Sequence, residues 1–213
     1  MVEAQHIASS MKIVDNRDEQ DVLEALLEDS KPARPDGGLD YLLATPFRYA
    51  PWGKGSRFRG VADPGVFYAA ESVRTASAEL GYWRWRFLKD AIDLEKLEPV
   101  AHTAFRAAIH TNAVDLRQPP FDRDAHAWRH PQDYSATQAF ARVAREADIG
   151  AIVYLSVRDP QPAWCLALLN VEGFFKRKPH PAMQTWWLAV YQYQVIWRRD
   201  RDAMTFSMLA WQA

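Results

Sequence analysis

The chain has 213 residues and 24.4 kDa, with 48% hydrophobic and 25% charged residues, a size that fits one compact domain with a full core. Lys plus Arg number 26 and Asp plus Glu 27, giving a formal net charge of −1 with no block of like charges, so binding to nucleic acid or anionic membrane by bulk charge is disfavoured. A single cysteine, Cys165, excludes an intramolecular disulfide and any site built from several thiolates. The N-terminus lacks a basic stretch followed by an apolar one, and no run of about 18 apolar residues occurs. A cytoplasmic protein is expected.

Residues 18–29 (DEQDVLEALLED) place Val22, Leu23, Leu26 and Leu27 at helical spacing, and KPARPDGG then stops the helix. The apolar, Pro-interrupted stretch from Asp40 to Ala50 reads as a strand or two short extended pieces ending near Arg48 and Tyr49. Pro51 to Gly65 is rich in Gly, Pro and basic residues, the composition of a mobile surface loop. Val66 to Ala70 is a compact strand. From Glu71 the spacing turns helical, with Val73, Ala76, Leu80, Trp83 and Phe87 on one stripe, Glu79 beside it and Gly81 weakening the helix just beyond.

Val100 to Leu116 reads as extended, with Phe105, Ala107 and Ile109 alternating, and a Pro-rich turn follows. Asp133 to Ala147 is a helix with Ser135 and Gln138 in capping-box spacing. Residues 149–155 and 164–169 are apolar strands, the first ending at Ser156. The C-terminal third suggests antiparallel strands with a hairpin at RDRDA. A few helices among many short strands predict an α+β (mixed α/β) fold, one domain around a single, mostly antiparallel or mixed sheet, with residues 1–40 as a helix-and-loop extension and 41–213 as the domain proper.

Motifs narrow the chemistry mainly by elimination. A P-loop, a GxGxxG after a strand and a GxSxG elbow are absent, and GKGSRFRG at 53–60 is only a weak phosphate cradle. His126 and His130 stand four apart, but the neighbouring prolines argue against a helix there, so no metal site is expected. More specific is the set Arg48, Tyr49, Arg57, Tyr68, Glu79 and Ser156. It offers guanidiniums that bind phosphate oxygens, rings that stack on a flat heterocycle, a hydroxyl at a strand end, and one carboxylate able to stabilise positive charge as a glycosidic bond breaks. Taken singly these are also ordinary surface charges, core tyrosines, a turn serine, and a glutamate pairing with Arg84 or Arg86.

In FRYAPWGKGSRFRG, DPGVFYAAES, TASAELGYWRWRF, AREADIGAIVYLSVRDP and WCLALLN, spanning roughly residues 45–170, the chain resembles the RES-domain family of toxins from bacterial toxin–antitoxin pairs, which act on NAD. Arg48, Glu79 and Ser156 match the Arg, Glu and Ser of its name. Tyr68 matches the strand Tyr, and Arg57 the second Arg, with Arg59 competing for that role because SRFRG departs from the GRWN-like stretch of many members. The resemblance implies a fold similar to ADP-ribosyltransferase toxins and NAD as co-substrate. Arg48 and Arg57 would hold the pyrophosphate, Tyr68 would stack on nicotinamide or its ribose with Ser156 nearby, and Glu79 would be the catalytic carboxylate. It also implies a helix-turn-helix (Xre-type) antitoxin covering the site and a cellular protein as ADP-ribose acceptor.

Water or phosphate as acceptor would make the chain an NAD glycohydrolase or phosphorylase. Arginine-modifying transferases of similar fold often carry an acid two residues before the Glu, where this chain has Ser77, which disfavours arginine as the modified residue. Outside NAD chemistry, the aromatic content (9 Trp, 10 Phe, 8 Tyr) suits a non-enzymatic interaction module. A glycoside hydrolase would need a second carboxylate opposite Glu79, and none stands out.

Overall fold

The computed structural model describes residues 1–3, 16–29, 38–49 and 55–211. The loop expected at 31–37, the first part of that at 51–65 and the Leu27 side chain lie outside the described residues. Nine strands and five helices appear among the described residues, and the strands divide into two sheets where the sequence suggested one. The first sheet has five strands in the order β1 (Val2–Glu3), β3 (Lys96–Ala104), β7 (Gln184–Tyr191), β8 (Gln194–Arg199) and β9 (Asp202–Ser207), antiparallel throughout. The second runs β2 (Phe67–Ala70), β6 (Trp164–Leu168), β5 (Ala151–Leu155) and β4 (Ala113–Asp115), with β4 and β5 its one parallel pair. A parallel pair needs a long crossover. Residues 116–150 supply it, carrying α4 (Ala125–Trp128) and α5 (Ser135–Glu146). The α+β class, the strands near 66–70, 149–155 and 164–169, and the C-terminal hairpin agree with the sequence reading.

The helix α3 (Val73–Asp90) packs on the five-stranded sheet. Its start is fixed by Ser72, whose side chain accepts from Thr75 N at 3.1 Å. The buried stripe differs from the expected one: Ala78, Gly81, Tyr82, Trp85 and Leu88 face the sheet, while Trp83 and Phe87 are exposed at 48% and 57%. The reason is the close approach at Gly81, where an added Cβ would lie 3.0 Å from Val195 Cγ1. Gly81 and Ala78 let the helix sit down on the sheet beside Tyr82, Trp85 and Leu88, which turns Trp83 and Phe87 outward. The resulting core holds Trp186, Leu188, Val195, Trp197, Phe206 and Trp211.

The helices at 41–48 and 135–146 cover the second sheet. Residues 41–48 form α2 (Tyr41–Arg48) and not a strand. Asp40 caps it by accepting from Leu42 N at 2.9 Å, and Pro46 sits near its end, where its missing N–H removes one intrahelical bond. Leu43 and Ala44 then join Phe67, Ala151, Leu168 and Phe174 on one face of the sheet. The opposite face, with Ile152, Tyr154, Cys165 and Ala167, packs against Phe58 and Ala141 and Ala144 of α5. No capping box starts α5: Ser135 N donates to Asp133 Oδ1, and Gln138 turns away to hold a neighbouring loop. The N-terminal helix α1 (Arg17–Asp29) forms where expected, with Val22 and Leu26 exposed.

Candidate active site

Strand register builds the site. Side chains alternate between faces along a strand, and residues paired across strands share a face. Tyr68 pairs with Ala167, Ala70 with Cys165 and Tyr154 with Cys165, so Tyr68, Tyr154 and Cys165 lie on one face of the four-stranded sheet. Ser156 continues that parity just past β5, its N–H still bonded to Ala163 O at 2.8 Å. Onto this face α3 brings Glu79.

Ser156 Oγ donates to Glu79 Oε1 at 2.6 Å, while the N–H groups of Arg158 and Asp159 donate to the same Oγ at 3.3 and 3.1 Å. Two backbone donors occupy the oxygen's lone pairs, which directs its proton at the carboxylate. The Cys165 thiol also approaches Glu79 Oε1, at 3.9 Å. Glu79 is partly accessible while Ser156 is buried. Burial, reinforced by the Glu79 charge, holds the Cys165 thiol far above its usual range, so it is a neutral packing and donor group. Burial likewise raises Tyr154, with Cys165 and Glu79 adding to it.

The turn after Ser156 is locked by residues the sequence analysis passed over. The Arg158 guanidinium lies over the Tyr82 ring, 3.4 Å from its centroid, and Nη2 donates to Pro131 O. Its carbonyl accepts from Trp211 Nε1 at 2.7 Å. Asp159 is buried and pairs with Arg74 at 3.2 Å. The signal was the charged pair directly behind the strand-end serine, in SVRD.

The loop at 55–65 is anchored, contrary to the mobile loop expected. Ser56 and Arg59 form a β-bridge, Phe58 is fully buried against Tyr154 at 4.8 Å between centroids, and Gln138 Nε2 donates to both Ser56 O and Arg59 O. The Tyr68 hydroxyl shares a 2.8 Å bond with Ser56 Oγ and accepts from Phe58 N at 2.9 Å. Although 36% of Tyr68 is open to solvent, desolvation at the crowded hydroxyl raises its pKa above the ordinary tyrosine value.

Arg57 is 7% exposed. Its Nη1 donates to Trp128 O at 2.9 Å and His130 O at 3.1 Å, and its guanidinium lies over Tyr134 at 4.7 Å. Arg48, at the end of α2, lies over the neighbouring Tyr49 ring at 5.8 Å, and Tyr49 O accepts from Arg59 Nη2 at 2.7 Å. The structure thus brings Glu79 and Ser156 into direct contact and Tyr68 onto their face. Arg57 is held over the same side of the sheet by the loop whose Phe58 packs on Tyr154, its guanidinium engaged with Trp128 O and His130 O, and Tyr49, next to Arg48, is bonded to that loop through Arg59.

Ser77 faces the core, fully buried with its carbonyl accepting from Trp197 Nε1 at 3.1 Å. Position 77 therefore points into the core. His130 Nδ1 accepts from Gln132 N and Asp133 N, making it a turn cap, and among the described residues no group of three or more His, Cys, Asp or Glu could hold a metal ion. A cavity of about 150 Å³ beside Leu155 and Trp128 is smaller than the roughly 300–1,000 Å³ usual for small-molecule sites. No helix among the described residues is long and apolar enough to cross a membrane.

A carboxylate and a serine hydroxyl joined at the end of a sheet make this the candidate site of an α+β chain. Residues 31–190 match the RES domain, and the chain belongs to that family. No curated protein matches it.

Proposed function

We propose that the chain is a toxin that cleaves the nicotinamide–ribose bond of NAD and transfers ADP-ribose to a cellular protein, and that a helix-turn-helix antitoxin covers the site. The reading is supported by family membership and, above all, by the Glu79 carboxylate held at 2.6 Å by the Ser156 hydroxyl on the face that carries Tyr68. As the C1′–N bond breaks, its electron pair leaves with nicotinamide and the ribose gains oxocarbenium character. Glu79 stabilises that charge and holds a ribose hydroxyl. A nucleophile of the acceptor then bonds to C1′ and loses its proton. Ser156 keeps the carboxylate aimed, and Tyr68 offers an aromatic ring to nicotinamide or its ribose.

A protein acceptor is favoured by the exposed Trp83 and Phe87, one and two turns beyond Glu79 on α3, since exposed aromatics beside a site suit a macromolecular partner. The test is chromatography of purified protein with NAD alone, with phosphate, and with cell extract, Glu79→Gln serving as the blank. Nicotinamide release that requires extract and leaves a protein heavier by one ADP-ribose supports transfer. Release without extract assigns the acceptor to water or, if phosphate is required, to phosphate. No release under any condition removes the enzymatic reading and leaves the interaction module.

A further inference from the structure

Where the 55–65 loop meets α5, three guanidiniums face one carboxylate. Both oxygens of Asp63 are taken, Oδ1 by Arg142 Nε at 2.9 Å and Oδ2 by Gly60 N at 2.7 Å. Arg59 donates to two carbonyl oxygens, of Asp63 at 3.2 Å and Tyr49 at 2.7 Å. Arg145 reaches the carbonyls of Ala141 and Pro64 at 3.5 and 3.4 Å, and its Nε is buried with no hydrogen-bond partner. Among the described residues, then, neither Arg59 nor Arg145 has a carboxylate of its own. Desolvation already pulls both below the ordinary arginine value, and their mutual repulsion adds to it at Arg145. Partly desolvated, loop-anchored guanidinium forks whose nearest carboxylate, Asp63, is already bonded to Arg142 and Gly60 suit a tetrahedral oxyanion with several acceptor oxygens. Tyr68, on the face of the Glu79–Ser156 pair, joins this loop by the 2.8 Å bond of its hydroxyl to Ser56 Oγ, and Ser56 N–H donates to Arg59 O at 2.7 Å.

We propose that Arg59 and Arg145 form a phosphoryl-binding site, with Arg142 occupying Asp63 so that this carboxylate does not claim them, and that the site holds the diphosphate of the dinucleotide whose glycosidic bond lies at Glu79. The second half rests on the function proposed above. It moves the diphosphate away from Arg57, whose Nη1 is bonded to two carbonyls in a buried position.

The test is calorimetric titration of the Glu79→Gln chain, which removes turnover, with ADP-ribose, inorganic pyrophosphate, inorganic phosphate and adenosine. The expected result is that ADP-ribose and pyrophosphate compete for one site, and that Arg59→Gln with Arg145→Gln weakens both at least tenfold while adenosine is unaffected. Arg59→Lys with Arg145→Lys, which keeps the charge and loses the fork, should give a smaller loss and a steeper dependence on salt. Near-ultraviolet circular dichroism checks that each variant is folded. Unchanged ADP-ribose affinity in the glutamine variant overturns the site and leaves NAD as substrate. Arginine-dependent pyrophosphate binding with no ADP-ribose binding supports the anion site and overturns the dinucleotide reading. Arginine-dependent binding of inorganic phosphate that ADP-ribose does not displace overturns the assignment of the site to the diphosphate.

Discussion

The five-stranded sheet buries Trp186, Trp197 and Phe206 against α3, whereas the four-stranded sheet, on its face toward α5, carries Tyr68, Tyr154, Cys165 and the strand-end Ser156. Helix α3 serves both: one side is core, and Glu79 reaches from another to the second sheet. The difference teaches where precision is needed. The aromatic sheet needs volume and close packing, and the smaller sheet needs hydroxyls and a carboxylate at fixed separations, which a rigid neighbour supplies.

If that division holds, damage to the first sheet should appear as lost stability and damage to the second as lost chemistry. The largest effect is expected at Trp197→Ala, which empties a fully buried site and removes the bond to Ser77 O, costing about 3–5 kcal/mol in denaturant unfolding. Nicotinamide release per folded molecule should be unchanged. Ser156→Ala removes a hydrogen bond to a charged group, worth about 1.5–3 kcal/mol. It should therefore cut turnover by roughly ten- to a hundredfold while KM moves little. A large KM change with kcat intact would break the comparison, because Ser156 would then act in binding rather than in aiming Glu79.

Gly81→Ala sharpens the view of α3 as the shared element. Alanine favours a helix by about 1 kcal/mol over glycine, but the new Cβ meets Val195 at 3.0 Å, and overpacking typically costs about 1–3 kcal/mol. A net loss of about 1 kcal/mol is expected from thermal melts, where an uncrowded helix would gain. The smallest effect is at Asp63, held below the ordinary carboxylate range first by its bond to Arg142, then by the Gly60 N–H against desolvation. A depressed carboxyl contributes stability above its unfolded pKa, near pH 4, and loses it as pH falls toward its folded value. Asp63→Asn should lower the melting temperature slightly at neutral pH, where the charged carboxylate contributes, leave the most acid points unchanged, and so flatten the acid limb of the melting profile.

Much of this architecture is legible in the sequence. The strands AIVYL and WCLAL, the helices after Glu71 and Asp133, and the hairpin at RDRDA follow from period and turn residues. The segment at 41–48 misled because leucines and Pro46 read as extended structure, while the deciding feature was one capping aspartate. The stripe of α3 misled because the first half of its buried face is made of small residues, Ser77, Ala78 and Gly81, which allow close approach and are invisible to a search for large apolar side chains, so Tyr82, Trp85 and Leu88 were not aligned with it. Glu79 and Ser156 are 77 residues apart, and no local period announces their contact. Family resemblance named them, and sheet register explains why they meet. Arg158 and Asp159 went unread because a charged pair after a strand looks like any solvated turn, yet both are buried.

The most direct test of the account is nicotinamide release from NAD by the folded wild-type chain and by Glu79→Gln, side by side, with extract present. The account predicts release by the wild type and a loss of about 10²–10³-fold or more in the variant, at equal melting temperature. Equal release by the two proteins would contradict it.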